Sequence, residues 1–268
     1  MTEARIPFGN LQSSGIEELA GGMPVAMNVV SDAGGTIRKR PGLQSYFSNI
    51  VDANGISCLY ETTAGDVYAV AGTVPQRNIF QIKSTGPVQI HAASQGDVPG
   101  TNRPIVAETE ALLVFAGGRE PEKLVLSTKT PSRLGGGPPQ GSHVIANSSS
   151  LMMNDVRGTT PSYFYFSAPV TSPTVYAPNE DWTTPILTGT VKAEARPDPI
   201  VALHENTDEI FAFGTTSLQV FAPSQDPTYP FQPSVTRELG CAAPYSVIKT
   251  DQSFAWLDHL RRIRVEGN

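Results

Sequence analysis

Three runs, Ile200-Val201-Ala202-Leu203-His204-Glu205, Glu209-Ile210-Phe211-Ala212-Phe213-Gly214 and Ser217-Leu218-Gln219-Val220-Phe221, decide the fold. Each is five or six residues long, rich in β-branched and aromatic side chains, and separated from the next by a short polar turn. Apolar runs of this length bounded by turn residues read as antiparallel strands joined by tight hairpins.

Outward from this unit the same pattern recurs. Toward the N-terminus, Ile56–Glu61, Val67–Gly72, Asn78–Lys83 and Pro87–His91 form a first four-strand unit. A second begins at Pro104 and runs through Leu112–Gly118 and Lys123–Ser127, with a weak last strand before Gly135-Gly136-Gly137-Pro138-Pro139. The third starts at His143, passes Leu151-Met152-Met153 and includes Tyr163-Phe164-Tyr165-Phe166. A fifth comprises Ser246–Lys249, Phe254–Leu257 and Arg262–Val265, and stops before a fourth strand. Unit starts at Ile56, Pro104, His143, Ile200 and Ser246 recur at roughly the 40–50 residues of a propeller blade, the one longer gap holding an insertion near 167–199. The endings Ala71-Gly72, Ala116-Gly117-Gly118 and Phe213-Gly214 mark equivalent second strands. The expected fold class is all-β: a β-propeller of four-stranded antiparallel blades, four plus a partial fifth, incomplete within this chain. A single blade cannot bury both its faces, so neighbours must stack. Either the N-terminal strands supply the missing part of the ring, or the chain is a fragment of a longer protein; the broken last unit favours the fragment.

Composition agrees. Of 268 residues, 39% are hydrophobic and only 16% charged, while 24 Gly and 23 Pro supply many turns, which argues against a helical or disordered chain. The net charge of −6 disfavours a protein that grips nucleic acid, although it suits a surface past which DNA must slide. No signal peptide or membrane-length apolar run opens the chain, so folding in the cytoplasm without membrane contact is expected. Cys58 and Cys241 fall in different units and read as reduced core thiols.

The chemistry of a catalytic centre is missing. His91, His143, His204 and His259 are scattered and read as surface or loop residues; no Cys-x-x-Cys or Gly-x-Ser-x-Gly occurs, and no cofactor or metal is expected. The Gly135 cluster lacks the Lys-Ser/Thr ending of a phosphate loop and reads as a flexible loop. Glu108, Glu110, Asp208 and Glu209 fit the polar ends of hairpins better than a glycosidase pair. The Tyr163–Phe166 run reads as alternating burial within a blade rather than a ligand platform.

Residues 1–55 form an arm and clasp ahead of the blades, which occupy 56–268. The clasp, Asn28–Leu43, closes an extended segment and turns at Gly34-Gly35. It then lays down a short basic strand and turns again at Pro41-Gly42. This opening, carried by Met27-Asn28, Gly35 and Arg38-Lys39-Arg40-Pro41-Gly42-Leu43, resembles that of the tail nozzle proteins of short-tailed bacteriophages, also called tail tubular or packaged-DNA stabilisation proteins. A second region, Pro199 to Gly240, resembles the same family through Ile210–Phe221, and Leu239-Gly240-Cys241-Ala242-Ala243 resembles its link into the next blade. Family chains are usually much longer than this one.

The resemblance implies a structural virion protein: a hexameric ring below the head-to-tail adaptor, retaining the packaged genome and forming the channel for its ejection. It implies contacts with the adaptor ring and with tailspike, fibre or needle proteins, passage of DNA without sequence-specific binding, and location in the virion tail after synthesis in the host bacterial cytoplasm. Arg38, Lys39, Arg40, Pro41 and Gly42 are then candidates for subunit or adaptor contact. The alternative is a carbohydrate-binding or glycan-hydrolysing propeller for receptor recognition.

Overall fold

The computed structural model describes residues 29–31, 37–39 and, with short breaks of which 92–102 is the longest, 55–267. By their contacts the residues fall into two units, Met1–Ser48 and Asn49–Asn268. In the first, β1 (Val29–Ser31) pairs antiparallel with β2 (Ile37–Lys39), Val30 standing opposite Arg38. This is the hairpin expected around Gly34-Gly35; the second turn, at Pro41-Gly42, lies outside the described residues.

The second unit is a five-bladed β-propeller of antiparallel sheets. Blade 1 is β3 (Ile56–Glu61), β4 (Val67–Thr73), β5 (Gln76–Lys83) and β6 (Gly86–His91) in sequential order. Blade 2 is β7 (Ile105–Glu108), β8 (Leu112–Ala116), β9 (Glu122–Val125) and β10 (Thr130–Arg133). Blade 3 is β11 (Val144–Asn147), β12 (Ser150–Asn154), β13 (Tyr163–Phe166) and β14 (Gly189–Lys192). In blade 4, β15 (Ile200–Asn206), β16 (Glu209–Gly214), β17 (Leu218–Pro223) and β18 (Phe231–Arg237) follow the same order. Blade 5 has three strands, β19 (Ile248–Lys249), β20 (Ser253–Leu257) and β21 (Ile263–Gly267). The first strand of each blade is innermost, and β11 touches both β7 and β15.

The unbroken apolar runs follow from this architecture, because a second strand is covered on both faces and its alternate residues serve different neighbours. Along β8, Leu113 and Phe115 join Cys58, Tyr68, Val70 and Ile79 of blade 1, whereas Leu112, Val114 and Ala116 join Val144, Leu151 and Met153 of blade 3. Along β16, Ile210 and Ala212 pack with Met152, Phe164 and Phe166, while Phe211 and Phe213 pack with Phe254 and Trp256. Edge-to-face aromatic contacts reinforce both layers: Phe164–Phe221 at 5.2 Å between centroids and Phe213–Trp256 at 5.4 Å. Tyr163–Phe166 alternates as expected, with Phe164 and Phe166 buried.

The outer strands depart from the sequence expectation. β14 lies inside the stretch read as an insertion, and β18 was not foreseen. Of its residues only Phe231 is even half-buried, at one end, so apolar patterning is missing where a strand has solvent on both sides. The Gly135 loop is a close-packed contact, contrary to its reading as a flexible loop. The Gly135 N–H donates to Glu180 Oε1 (2.7 Å), and a Cβ on Gly136, at φ +77, would collide with the Glu180 carbonyl. Glu180 ends a 3-10 turn over Ala177–Glu180 and also pairs with the mostly buried Lys123 at 2.6 Å, so the insertion is stitched onto blade 2.

Candidate functional site

Antiparallel order gives the propeller two ends: a hairpin end, where first and third strands finish, and a link end, where each blade hands over to the next. At the hairpin end a cleft of about 420 Å³ opens between blades 1, 2 and 3, lined by Tyr60, Thr63, Glu108, Glu110, Ser149 and Val170 among others. Glu108 closes β7 and reaches across to blade 1. One of its oxygens accepts from the Thr63 hydroxyl (2.5 Å), the other from the Thr63 N–H (3.0 Å) and the Tyr60 hydroxyl (3.2 Å). Burial, then the Glu108 charge and hydrogen bond, push the Tyr60 phenol up, so it stays a donor. A carboxylate committed on both oxygens is a strut between blades rather than a free general acid or nucleophile. Glu110 also lines the cleft; Asp208 and Glu209 sit at the β15–β16 turn and are not among its walls. Two ion pairs complete this end: Lys129 with Asp66 (2.6 Å), which holds that carboxyl below its ordinary value, and Lys249 with Glu205 (2.7 Å), which joins blades 4 and 5.

The link end is held by buried polar latches. Asp198, 5% exposed just before β15, takes the whole Thr215-Thr216-Ser217 turn: Oδ1 accepts from the N–H and hydroxyl of Thr215, Oδ2 from those of Thr216 and Ser217 at 2.7–3.0 Å. Burial alone would raise this carboxyl; the donors outweigh it and hold the group below its ordinary value. The Phe213-Gly214-Thr215-Thr216-Ser217 run that carries part of the family resemblance is therefore a carboxylate receptor for the start of its own blade. Gly240 lies against this turn, where a Cβ would overlap the Thr215 carbonyl, and the Cys241 N–H donates to the Gly214 carbonyl (2.8 Å). In blade 3, Asn154 Oδ1 accepts from the N–H groups of Ser142 and His143, and its Nδ2 donates to the Ile200 carbonyl (2.9 Å). Asp258 in blade 5 accepts from Arg262 and from Arg264 (2.7 Å). Burial opposes its ionisation, but these donors hold it down to about 2.

Two histidines correct the sequence reading. His143, 1% exposed, stacks on Tyr245 with 5.6 Å between ring centroids. Burial, helped by the neighbouring His204, pushes it down to about 3. His204 meets Phe213 and Phe254 edge-on, and burial takes it down to about 4. The sequence separates them, but β11 packs against β15, which sets His204, within β15, close enough to act on His143 just before β11. Because His143 belongs to blade 3 and Tyr245 to the approach of blade 5, their stack joins two blades that are not sequence neighbours.

Of the assembly candidates, Arg38 and Lys39 lie on β2, paired with Val30 and Val29; Arg40, Pro41 and Gly42 lie outside the described residues. Cys58 and Cys241 are buried and free, in separate core layers. Among the described residues no three His, Cys, Asp or Glu side chains gather as a metal site, and no helix is long and apolar enough to cross a membrane. The buried latches were invisible in sequence, except that Asp198 precedes a strand by two residues and a Thr-Thr-Ser turn follows that strand's partner.

Among solved structures, the chain is similar to the extracellular domain of the one-component system BT4673 from B. thetaiotaomicron. That match has TM-score 0.52 and 11% identity over 82% of this chain, which spans 29% of that one. It is also similar to YCF48 bound to D1 peptide, with TM-score 0.51 and 11% identity over 88% of this chain and 70% of that one. At such identities the likeness concerns the fold alone. No curated protein matches. Residues 139–265, blades 3 to 5 with the Asp198 latch and the Gly240 link, match the family model described as Bacteriophage P22 Gp10, beta-propeller, which supports the phage tail nozzle family that the sequence resembles.

Proposed function

We propose that the chain is a non-enzymatic structural subunit of a virion tail, assembling as a ring, in six copies, below the head-to-tail adaptor. The ring retains packaged DNA and provides the channel for its ejection, and tailspike, fibre or needle proteins bind elsewhere on it. The family match carries this reading. One geometric observation supports a path outside the propeller: the His143–Tyr245 stack at 5.6 Å brings blade 3 and the approach of blade 5 into ring contact, a spacing that leaves no room for duplex DNA between them. The genome path therefore runs between copies, and each propeller is a wall element. A net charge of −6 suits a wall past which a polyanion must slide. Arg38, Lys39 and Arg40 on the separate N-terminal unit serve subunit or adaptor contact. Mass photometry of the purified chain with and without the adaptor ring tests this. A discrete ring formed alone or on the adaptor supports it, and a chain that stays monomeric in both conditions refutes it.

The cleft at the hairpin end is the one feature favouring receptor glycan binding, since it combines an aromatic ring with hydroxyls and carboxylates. The engagement of both Glu108 oxygens makes it a weaker basis than the family match.

A further inference from the structure

The two ends of the propeller differ in charge. Hairpin-end positions carry carboxylates on the corners of three blades: Glu61 on blade 1, Glu108 and Glu110 on blade 2, and Glu205, Asp208 and Glu209 on blade 4. These corners are gathered on one face, as Tyr60, Thr63, Glu108, Glu110 and Ser149 share one cleft and Glu205 acts on Tyr60. Of the lysines at this end, Lys129 and Lys249 are paired with Asp66 and Glu205, and exposed Lys83 acts on Asp66. Among the described residues of the propeller, no arginine stands here. Arg103, Arg119, Arg133, Arg237, Arg261 and Arg262 all stand at the link end, at the joints between blades or the turns between second and third strands. All but Arg119 are exposed, and among the described residues these five outnumber the exposed carboxylates of that end, Glu120 and Glu238; guanidinium groups favour forked contact with carboxylates.

We infer that the propeller self-associates head to tail, the arginine-bearing link end of one copy facing the carboxylate-bearing hairpin end of the next. This rests on the oligomeric reading above and names the surfaces that make it. A contact between two different faces of the same protein is heterologous, and closes into a ring when its rotation allows. Opposite charge on the two faces orients the encounter and penalises like-face pairing. A second copy is the occupant the charges select, because its hairpin end supplies carboxylates fixed in place on three blade corners.

The test uses the full chain and two double variants, Glu110→Arg/Asp208→Arg at the hairpin end and Arg103→Glu/Arg261→Glu at the link end. All four side chains are exposed, and circular dichroism melts verify folding. In sedimentation velocity at low salt the native chain associates. Each double variant alone self-associates about tenfold or more weakly. An equimolar mixture of the two variants regains assembly, since every mixed contact again joins opposite charges. Raising salt weakens native association. Failure of the mixture to recover, or variants that assemble as the native chain does, overturns the assignment of faces while leaving the ring intact. A native chain that is monomeric with or without the adaptor overturns the oligomeric reading itself. Unchanged assembly together with loss of binding to a DNA duplex in the link-end variant gives that face to nucleic acid instead.

Discussion

The two ends of this propeller are built by different means. At the link end, Asp198, Asn154 and Asp258 are buried, accept several hydrogen bonds each, and hold strand starts against neighbouring turns. At the hairpin end, contacts between blades are partly exposed: Glu108 with Thr63 and Tyr60, Lys249 with Glu205. Buried charge–dipole contacts cannot be removed without stranding several donors, whereas exposed ion pairs contribute little to stability. The link end therefore fixes the blades, and the hairpin end is free to vary its surface chemistry.

The largest effect expected from breaking this contrast is at Asp198. Asp198→Ala leaves the Thr215–Ser217 donors unpaired and should cost about 3 kcal/mol or more in urea unfolding. Asp198→Asn should be only partly better, because its amide turns donors toward donors. Next comes acid. His143 and His204 are held neutral by burial, at about 3 and about 4, against an ordinary value near 6.5. The unfolded chain then binds more protons, so stability is fully present above about pH 6.5 and falls as pH drops toward 4, by up to roughly 1.4 kcal/mol per pH unit per histidine. Asp198 and Asp258, held low, add their loss only further down, as pH falls through their native values. A urea midpoint series from pH 8 to about 5 reads the histidine stage before the aspartates contribute; His143→Phe should flatten part of it, and an unchanged slope would remove His143 from the account.

A smaller loss is expected for Gly136→Ala, about 2 kcal/mol, with the 177–180 turn losing hydrogen-exchange protection first. Glu108→Gln, at the hairpin end, should cost about 1 kcal/mol. If it costs as much as Asp198→Ala, the contrast between the ends fails. The same variant sharpens the competing glycan reading: native chain and variant should be equally silent on a broad glycan panel, and binding lost with Glu108 would turn the strut into a ligand site.

Second strands were legible in the sequence because burial on both faces writes an unbroken apolar run, as in Leu112–Ala116 and Glu209–Gly214. The outermost strands were not. Residues 232–237 of β18 are exposed, and Gly189 and Val191 of β14 are partly exposed, so hydrophobic period carries little signal there. Long-range polar contacts were equally hidden: Gly135 looked like a flexible loop because its partner Glu180 lies 45 residues away. The same distance problem made His143 and His204 look scattered until the packing of β11 against β15 brought them together.

The central claim is that DNA passes between copies and never through a propeller. Electron cryo-microscopy of tails assembled with this chain tests it most directly. The account predicts a six-fold ring with the lumen bounded by the outsides of the propellers and His143 stacked on Tyr245 within each propeller. Nucleic-acid density along a propeller axis, or a single copy per tail, would contradict it.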